Sequence, residues 1–331
     1  MTARNLITDI AGIRVGHAGD ARLGSGATVV LFDAAVVASV DVRGGGPGTR
    51  ETALLDPAQT VEGIDAIVLS GGSAFGLDAA SGTQAYLREI GRGFRIRDAV
   101  VPIVPAAIMF DLLNGGDKGW GRYPPYREFG YEATKSAGPD FALGSVGAGL
   151  GATTATLKGG VGSASATTAN GITVGALVAV NAVGSTVIGE GPHFWAAPFE
   201  QGTEFGGRGW PQSISPSDLK IRAKGGPAEN TTIGVIVTDA KLSKAQCNRL
   251  AVMAHDGFAR AIYPVHTPLD GDTIFAAATG AKALADPAYG LAELGMLAAN
   301  AMARAVARGV YEAAALPLPG ALPSWKDKFG C

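Results

Sequence analysis

The chain has 331 residues, enough for one large domain or two closely packed halves with a substantial core. Its 27 Lys and Arg residues nearly balance 29 Asp and Glu residues, and no basic stripe favours nucleic-acid binding. Only Cys247 and Cys331 are present, which excludes a disulfide framework and a cysteine zinc site. The N-terminal residues lack the apolar run of a signal peptide, and other apolar stretches are too short to span a membrane. We therefore expect a cytoplasmic protein.

The first third of the chain carries strand patterns. The runs 27–32 and 35–42 are rich in Ala and Val and predict two strands paired through a short turn. A third predicted strand, 65–70, leads through the glycine-rich segment 71–76 into a helix that ends near Gly91. The 49 glycines of the chain lie in clusters between apolar runs, which indicates tight turns and close backbone packing in a sheet-rich core.

The middle of the chain combines strands with an irregular stretch. The runs 160–167 and 172–184 predict a second pair of strands. Residues 189–230 show no periodicity and contain many Gly, Pro and aromatic residues. A stretch of this length without regular structure in a compact domain is usually functional or disordered.

The last third is regular again. A strand is predicted over 233–240, followed by a helix that Ser243 opens, with Gln246 three residues later as in a capping box. A further strand is predicted over 273–279, and an Ala-rich helix from about 291 to 315.

The residues directly before strand 233–240 are the most informative. Thr231 and Thr232 carry hydroxyls, but a threonine hydroxyl is a poor nucleophile unless a base lies within hydrogen-bond reach. A chain cut before Thr231 would supply that base, because a new α-amino group has a pKa of about 7.7 to 8.0. The pattern therefore favours an enzyme that cuts itself between Asn230 and Thr231. The alternative is an ordinary turn that enters a sheet.

Other motifs do not support a cofactor or metal. The segment 71–76 has phosphate-loop spacing without the Lys-Ser/Thr that must follow, and Ser73 does not lie in a nucleophile elbow. The Asp270–Asp272 turn lacks the further acids of a calcium loop. The four histidines lack metal-ligand spacing, and we interpret each as structural. These histidines are His17, His193, His255 and His266.

Five motifs spread over nearly the whole chain carry a family resemblance through their order and spacing. In chain order they are Asp41-Val42-Arg43-Gly44-Gly45, Gly71-Gly72-Ser73-Ala74-Phe75-Gly76-Leu77, Val180-Asn181-Ala182-Val183-Gly184, Asn230-Thr231-Thr232-Ile233 and His266-Thr267-Pro268-Leu269-Asp270-Gly271-Asp272-Thr273. Together they resemble the aminopeptidase/D-esterase (DmpA) family, which includes β-peptidyl aminopeptidases and the 6-aminohexanoate-oligomer (nylon) hydrolases. The Thr-nucleophile nylon hydrolases are the most similar in motif, and the ornithine acetyltransferases share the fold.

The resemblance implies an architecture. It predicts an α/β fold, a four-layer αββα sandwich of the DmpA/ornithine acetyltransferase type, with the nucleophile strand in the centre. The single domain 1–331 would be cleaved into an α-chain, 1–230, and a β-chain, 231–331, that stay intertwined. Members of the family are typically homotetramers or similar assemblies, so the resemblance also implies a homo-oligomer.

The resemblance also implies residue roles. Thr231 matches the N-terminal nucleophile, and Asn181 matches the side chain that stabilises the oxyanion. Lys158 matches a lysine near the nucleophile, whose charge would lower the pKa of the new amine. Asp270 and Asp272 match paired acids that would orient the threonine amine and hydroxyl. The structural alternatives are a strand-end Asn, a solvated turn Lys and an Asp-Gly hairpin turn.

Two pocket positions depart from the family pattern. Phe110 stands where characterised relatives carry a tyrosine, so the hydroxyl that could contact the tetrahedral intermediate is missing. Ile108 stands where the aminopeptidases place an acid for the substrate's amine, and Asp111 would face away from Phe110 in an extended segment. The pattern therefore predicts tolerance of substrates that lack a free amine.

The resulting hypothesis is an N-terminal-threonine amide hydrolase that acts on peptide-like or aliphatic, nylon-type small-molecule amides. It needs no cofactor and no nucleic-acid or membrane partner. One alternative is an aminopeptidase or D-amino-acid esterase for free-amine substrates. Another is an acyltransferase that delivers the acyl group to an amine, and the last is an inactive binding protein on the same fold.

Overall fold

The computed structural model describes residues 4–224 and 230–330, which form eleven strands and five α-helices. The strands are β1 (Ile13–Asp20), β2 (Ser25–Val42), β3 (Thr49–Arg50), β4 (Gly63–Ser70), β5 (Phe94–Ile96), β6 (Ala99–Val101), β7 (Ala106–Ile108), β8 (Val161–Thr167), β9 (Thr173–Asn181), β10 (Thr231–Ala240) and β11 (Thr273–Lys282). The helices are α1 (Ala79–Glu89), α2 (Tyr126–Lys135), α3 (Lys244–Ala261), α4 (Pro287–Tyr311) and α5 (Trp325–Phe329). Short 3-10 helices cover Ile7–Asp9, Thr52–Leu55, Ser73–Asp78, Gly147–Gly149 and Ala197–Phe199.

One large sheet organises the molecule. Its strand order is β3-β7-β4-β2-β11-β10-β9-β8, with β1 paired to β2, while β5 and β6 form a separate hairpin. Strand β2 has 18 residues and pairs with strands in both halves of the sheet. Its first part pairs with β1 and β4, and its second part pairs with β11. The long strand therefore connects two sheet halves.

Three buried clusters separate four layers. One cluster lies between the two sheet halves and combines Val30, Ile67, Val235 and Phe275 from β2, β4, β10 and β11. A second cluster lies between strands β8 to β11 and helices α3 and α4. The third joins β2, β4 and β7 to helices α1 and α2. The four-layer αββα sandwich is thereby confirmed.

The predicted turn between runs 27–32 and 35–42 is wrong. Both runs belong to the continuous strand β2, and the exposed residues 33–35 lie where its register with β4 shifts. A two-residue hairpin favours residues with positive φ such as Asn-Gly, which Asp33 and Ala34 are not. The interruption is a local irregularity between two buried stretches.

The other predicted elements are confirmed, with small changes at their ends. The Ser243 hydroxyl accepts from the Gln246 amide at 3.3 Å, and the Gln246 side chain accepts from the Ser243 amide at 2.9 Å, as the capping box requires. Helix α4 begins at Pro287, earlier than predicted, because the Asp286 carboxylate caps the amides of residues 288 and 289. In the irregular stretch, residues 189–224 contain one short 3-10 helix.

Within the described residues, no helix is both long and apolar enough to cross a membrane.

Candidate active site

Thr231 is the first residue of β10, in the middle of the sheet. It is buried, with 4% of its surface exposed, and every residue of β10 is buried. Strand β9 lies antiparallel on one side and places Asn181 directly opposite Thr231. Strand β11 lies parallel on the other side. The sheet order therefore brings two predicted site residues together that are 50 positions apart in the sequence.

The carbonyl of Asn230 receives two hydrogen bonds. The Gly271 amide donates to it at 3.2 Å, and the Thr231 hydroxyl donates to it as well. Gly271 also lies against the threonine, since a Cβ on Gly271 would stand 2.6 Å from the Thr231 hydroxyl oxygen and 2.8 Å from the Gly46 carbonyl. Only glycine fits this position. Sequence analysis missed the Gly271 amide because a backbone donor has no side-chain signature.

The two predicted acids flank Gly271. Both carboxylates are buried, and Asp270 accepts from the Val183 amide at 3.2 Å and from the Thr267 amide and hydroxyl at 2.9 and 2.8 Å. Burial, with the charge of Asp272 as a second cause, raises the pKa of Asp270. Asp272 accepts from the amide of Thr232 at 2.8 Å, so it holds the residue next to the candidate nucleophile.

The Asn181 side chain is held by contacts at both ends. Its oxygen accepts from the Thr153 amide at 3.0 Å and from the Lys224 ammonium at 3.1 Å. Its nitrogen donates to the Phe110 carbonyl at 3.0 Å. The Thr153 amide and the Lys224 ammonium fix the position of the Asn181 oxygen. The side-chain nitrogen of Asn181 therefore points away from Lys224.

Lys158 is buried, so it is not the solvated turn lysine of the structural alternative. Its ammonium is buried and donates to the carbonyls of Gly149, Ala152 and Gly159 at 2.8, 2.9 and 2.8 Å. Burial lowers the pKa of Lys158 to about 7. The contacts described for its ammonium hold the 149–159 loop and do not include Thr231. A direct influence of Lys158 on the threonine amine stays a prediction.

A cavity of about 160 Å³ opens beside Asn181. Three residues of its wall, Phe110, Thr153 and Lys224, are the ones that contact Asn181. This volume is below the range of about 300–1,000 Å³ typical of pockets for drug-sized ligands. The cavity therefore suits one small unit of a substrate.

The two positions that depart from the family pattern lie apart. Phe110 lines the cavity, whereas the buried Ile108 packs against Gly48 and is outside the described cavity wall. Strand β7 ends at Ile108, so the extended segment on which the expectation for Asp111 depended stops before Phe110, and both residues line the cavity.

The carboxylate of Asp111 is already hydrogen-bonded within the protein. It accepts from the Ser25 hydroxyl at 2.6 Å and from the Gly72 amide at 2.8 Å. Burial raises the pKa of Asp111. Both contacts compete with any substrate group for this carboxylate.

The C-terminal tail supplies a wall of the cavity that the sequence did not predict. Residues 320–322 line it, and the Pro323 carbonyl accepts from the Lys158 amide at 2.9 Å. Trp325 then anchors the tail, since it is buried and its ring stacks on Phe194 at 5.8 Å. No local pattern in the sequence marks residues 320–322 as part of a cavity.

The described residues contain no group of three or more His, Cys, Asp or Glu side chains that could hold a metal ion.

The family model described as Peptidase family S58 matches residues 5–320, almost the whole chain. The chain belongs to peptidase family S58. It is a hydrolase that acts on amide bonds, as its family and the names of its relatives support.

Two relatives illustrate the range of the family. An uncharacterized aminopeptidase of Mycobacterium tuberculosis (strain ATCC 25618 / H37Rv) is 47% identical over 346 residues, covering 98% of each chain. A 6-aminohexanoate-oligomer endohydrolase of Kocuria sp. (strain KY2) is 29% identical over 284 residues, covering 82% of this chain and 74% of the relative.

Solved structures support the same fold. The Burkholderia sp. β-aminopeptidase has a TM-score of 0.73 at 22% identity, covering 98% of this chain and 92% of that one. The L-aminopeptidase D-Ala-esterase/amidase of Ochrobactrum anthropi, described as a variant of the Ntn hydrolase fold, also has a TM-score of 0.73, at 20% identity. That match covers 97% of this chain and 90% of the other. The S58 hydrolase thus shares the fold of these two structures.

Proposed function

We propose that this S58 hydrolase cuts itself between Asn230 and Thr231 and then uses Thr231 as the N-terminal nucleophile for amide hydrolysis. The observation that carries the proposal is the pair of hydrogen bonds to the Asn230 carbonyl, one from the Thr231 hydroxyl and one from the Gly271 amide. The nucleophile oxygen and an oxyanion donor therefore already meet at the bond to be cut.

Self-cleavage follows as an acyl shift. The Thr231 oxygen attacks the Asn230 carbonyl carbon, and the Gly271 amide stabilises the negative charge on the carbonyl oxygen. The proton of the Thr231 hydroxyl is transferred to the threonine nitrogen, the C–N bond breaks, and the nitrogen leaves as an amine. Asn230 is then an ester of the Thr231 oxygen. Water hydrolyses the ester to a carboxylate and restores the hydroxyl.

Substrate hydrolysis uses the same groups. A substrate carbonyl takes the place vacated by Asn230, so the Gly271 amide again faces the developing oxyanion. The Thr231 amine accepts the hydroxyl proton during the attack and passes it to the leaving amine. Asn181 lies opposite Thr231 and supplies a second N–H group for the oxyanion. Water then hydrolyses the acyl-enzyme ester.

Intact-mass measurement of denatured protein tests the proposal. We expect two fragments, 1–230 and 231–331, from the wild type and a single chain without amidase activity from Thr231→Ala. Thr231→Ser keeps a hydroxyl and is the matched control, which should still be cleaved. An uncleaved wild type that hydrolyses amides at the rate of its relatives would refute Thr231 as the N-terminal nucleophile.

We further propose that the substrate needs no free amine, as in aliphatic ω-amino-acid oligomers. A buried ammonium needs a carboxylate partner. At the cavity Asp111 is already bonded to Ser25 and Gly72, and the Lys224 cation would repel an ammonium. The 47% identical relatives are named aminopeptidases, and this name favours the opposite expectation, a substrate with a free amine.

Two substrates separate the two expectations. An aminoacyl nitroanilide and its N-acetylated form should differ by less than about tenfold in kcat/KM, a difference of about 1.4 kcal/mol. Background rates are measured with Thr231→Ala. A strong preference for the free-amine substrate would contradict this proposal and support an aminopeptidase instead. The homotetramer and the cytoplasmic location stay predictions.

A further inference from the structure

The Asp272 carboxylate has three donors, and two of them come from one residue. One oxygen accepts from the Thr232 amide at 2.8 Å. The other accepts from the ring Nδ1 of His266 at 2.8 Å and from the His266 amide at 3.2 Å. Asp272 is 1% exposed, so water does not compete for these sites. His266 is therefore bonded to the acid that holds the residue next to Thr231.

The ring of His266 has one polar contact. Its Nε2 is buried without a hydrogen-bond partner among the described residues. The ring packs against His255, with centroids 4.8 Å apart, and against Phe258 at 6.1 Å. Because a carboxylate oxygen accepts and the ring nitrogen that faces it must then donate, Nδ1 carries a hydrogen.

The backbone of His266 is also unusual. Its φ is +54°, in the left-handed region that residues other than glycine rarely adopt. Such conformations persist where the surrounding structure over-determines them, and they cluster at functional sites. Here the conformation accompanies hydrogen bonds from the His266 amide and ring to the same oxygen of Asp272.

We propose that His266 is a positioning residue that acts on Thr231 through Asp272. Its Nδ1–H and its amide hold one oxygen of the Asp272 carboxylate, so that the other oxygen stays on the Thr232 amide. The start of β10 is thereby held in register with Gly271 and Asn181. The inference rests on the proposed function, because it assigns His266 to the Thr231 site. Sequence analysis interpreted His266 as structural, and its lack of metal-ligand spacing carries no information about this role.

Two substitutions at position 266 separate the donor from the backbone. His266→Asn keeps an N–H donor one bond from Cγ, as in Nδ1, and asparagine tolerates positive φ. His266→Gly tolerates positive φ, keeps the backbone amide that donates to Asp272 and lacks the side-chain donor. We expect His266→Gly to lower the self-cleavage rate and kcat by about ten- to a hundredfold, the value of one hydrogen bond to an ionised group, with little change in KM. His266→Asn should restore most of the loss.

Melting temperatures establish that both variants are folded. Equal rates in His266→Gly and His266→Asn, or wild-type rates in His266→Gly, would overturn the proposal, since the ring donor would then have no role. If His266→Gly does not fold, His266→Gln is measured instead. The side-chain amide nitrogen of glutamine lies one bond further from the backbone than Nδ1 of histidine does. Wild-type rates in His266→Gln would also overturn the proposal. A wild type that neither cleaves itself nor hydrolyses amides would refute the proposed function instead.

Discussion

Lys158 shows how backbone carbonyls hold a buried ammonium group. Three backbone carbonyls accept from its ammonium, which replaces the water that burial removes. Burial nevertheless lowers the pKa of Lys158 from 10.5 to about 7. The folded protein therefore releases this proton at a lower pH than the unfolded chain does.

This difference predicts a pH dependence of stability. Between pH 7 and 10.5 the unfolded state binds more protons at Lys158, so the free energy of unfolding rises with pH, by at most about 1.4 kcal/mol per pH unit. Below pH 7 both states are protonated and the contribution is constant. Urea unfolding at pH 7, 8 and 9 should show this rise in the wild type and a smaller rise in Lys158→Met, where the lowered pKa of Lys118 still contributes.

The control is Lys241→Met, which removes an exposed lysine. It should keep the pH dependence of the wild type. Parallel stability curves for wild type and Lys158→Met across this range would contradict a lowered pKa of Lys158.

At the residue scale, the sequence pointed to side chains and missed backbone groups. Thr231 and Asp272 stand in short motifs with turn and strand signals, and the structure places them together with Asn181. The distance between them depends on the order of strands β9, β10 and β11, which no local pattern contains. The role of the Gly271 amide has no sequence signal, because it depends on the contact of this amide with the Asn230 carbonyl.

At the element scale, periodicity predicted the existence of strands better than their connections. Both runs within β2 are buried as strands should be, but the exposed residues between them continue the strand instead of reversing it. Local composition does not distinguish a turn from an irregularity, because the difference depends on pairing with β4 and β11. The cavity wall at 320–322 escaped prediction for a similar reason, since only tertiary contacts bring the tail to the site.

At the scale of the whole molecule, the proposed cleavage divides the centre of the fold. Strands β10 and β11 belong to fragment 231–331, and their outer neighbours β9 and β2 belong to fragment 1–230. Strand β10 pairs with β9 from Thr231 to Thr238, and β11 pairs with β2 from Thr273 to Ala278. The clusters on both faces of these strands also contain residues from both fragments.

We therefore expect the two fragments to remain one folded unit after cleavage. Separation would expose four strand edges, those of β2, β9, β10 and β11, and two apolar cores. Burial stabilises by about 25 cal/mol per Å² of apolar surface. Cleaved wild type should elute as one species on native size-exclusion chromatography, give two bands in denaturing gels and melt in a single transition. Uncleaved Thr231→Ala provides the comparison and should elute at the same volume. Fragments that separate in native buffer without denaturant would contradict the interleaved sheet, because each would then have to be stable without the strands that the other supplies.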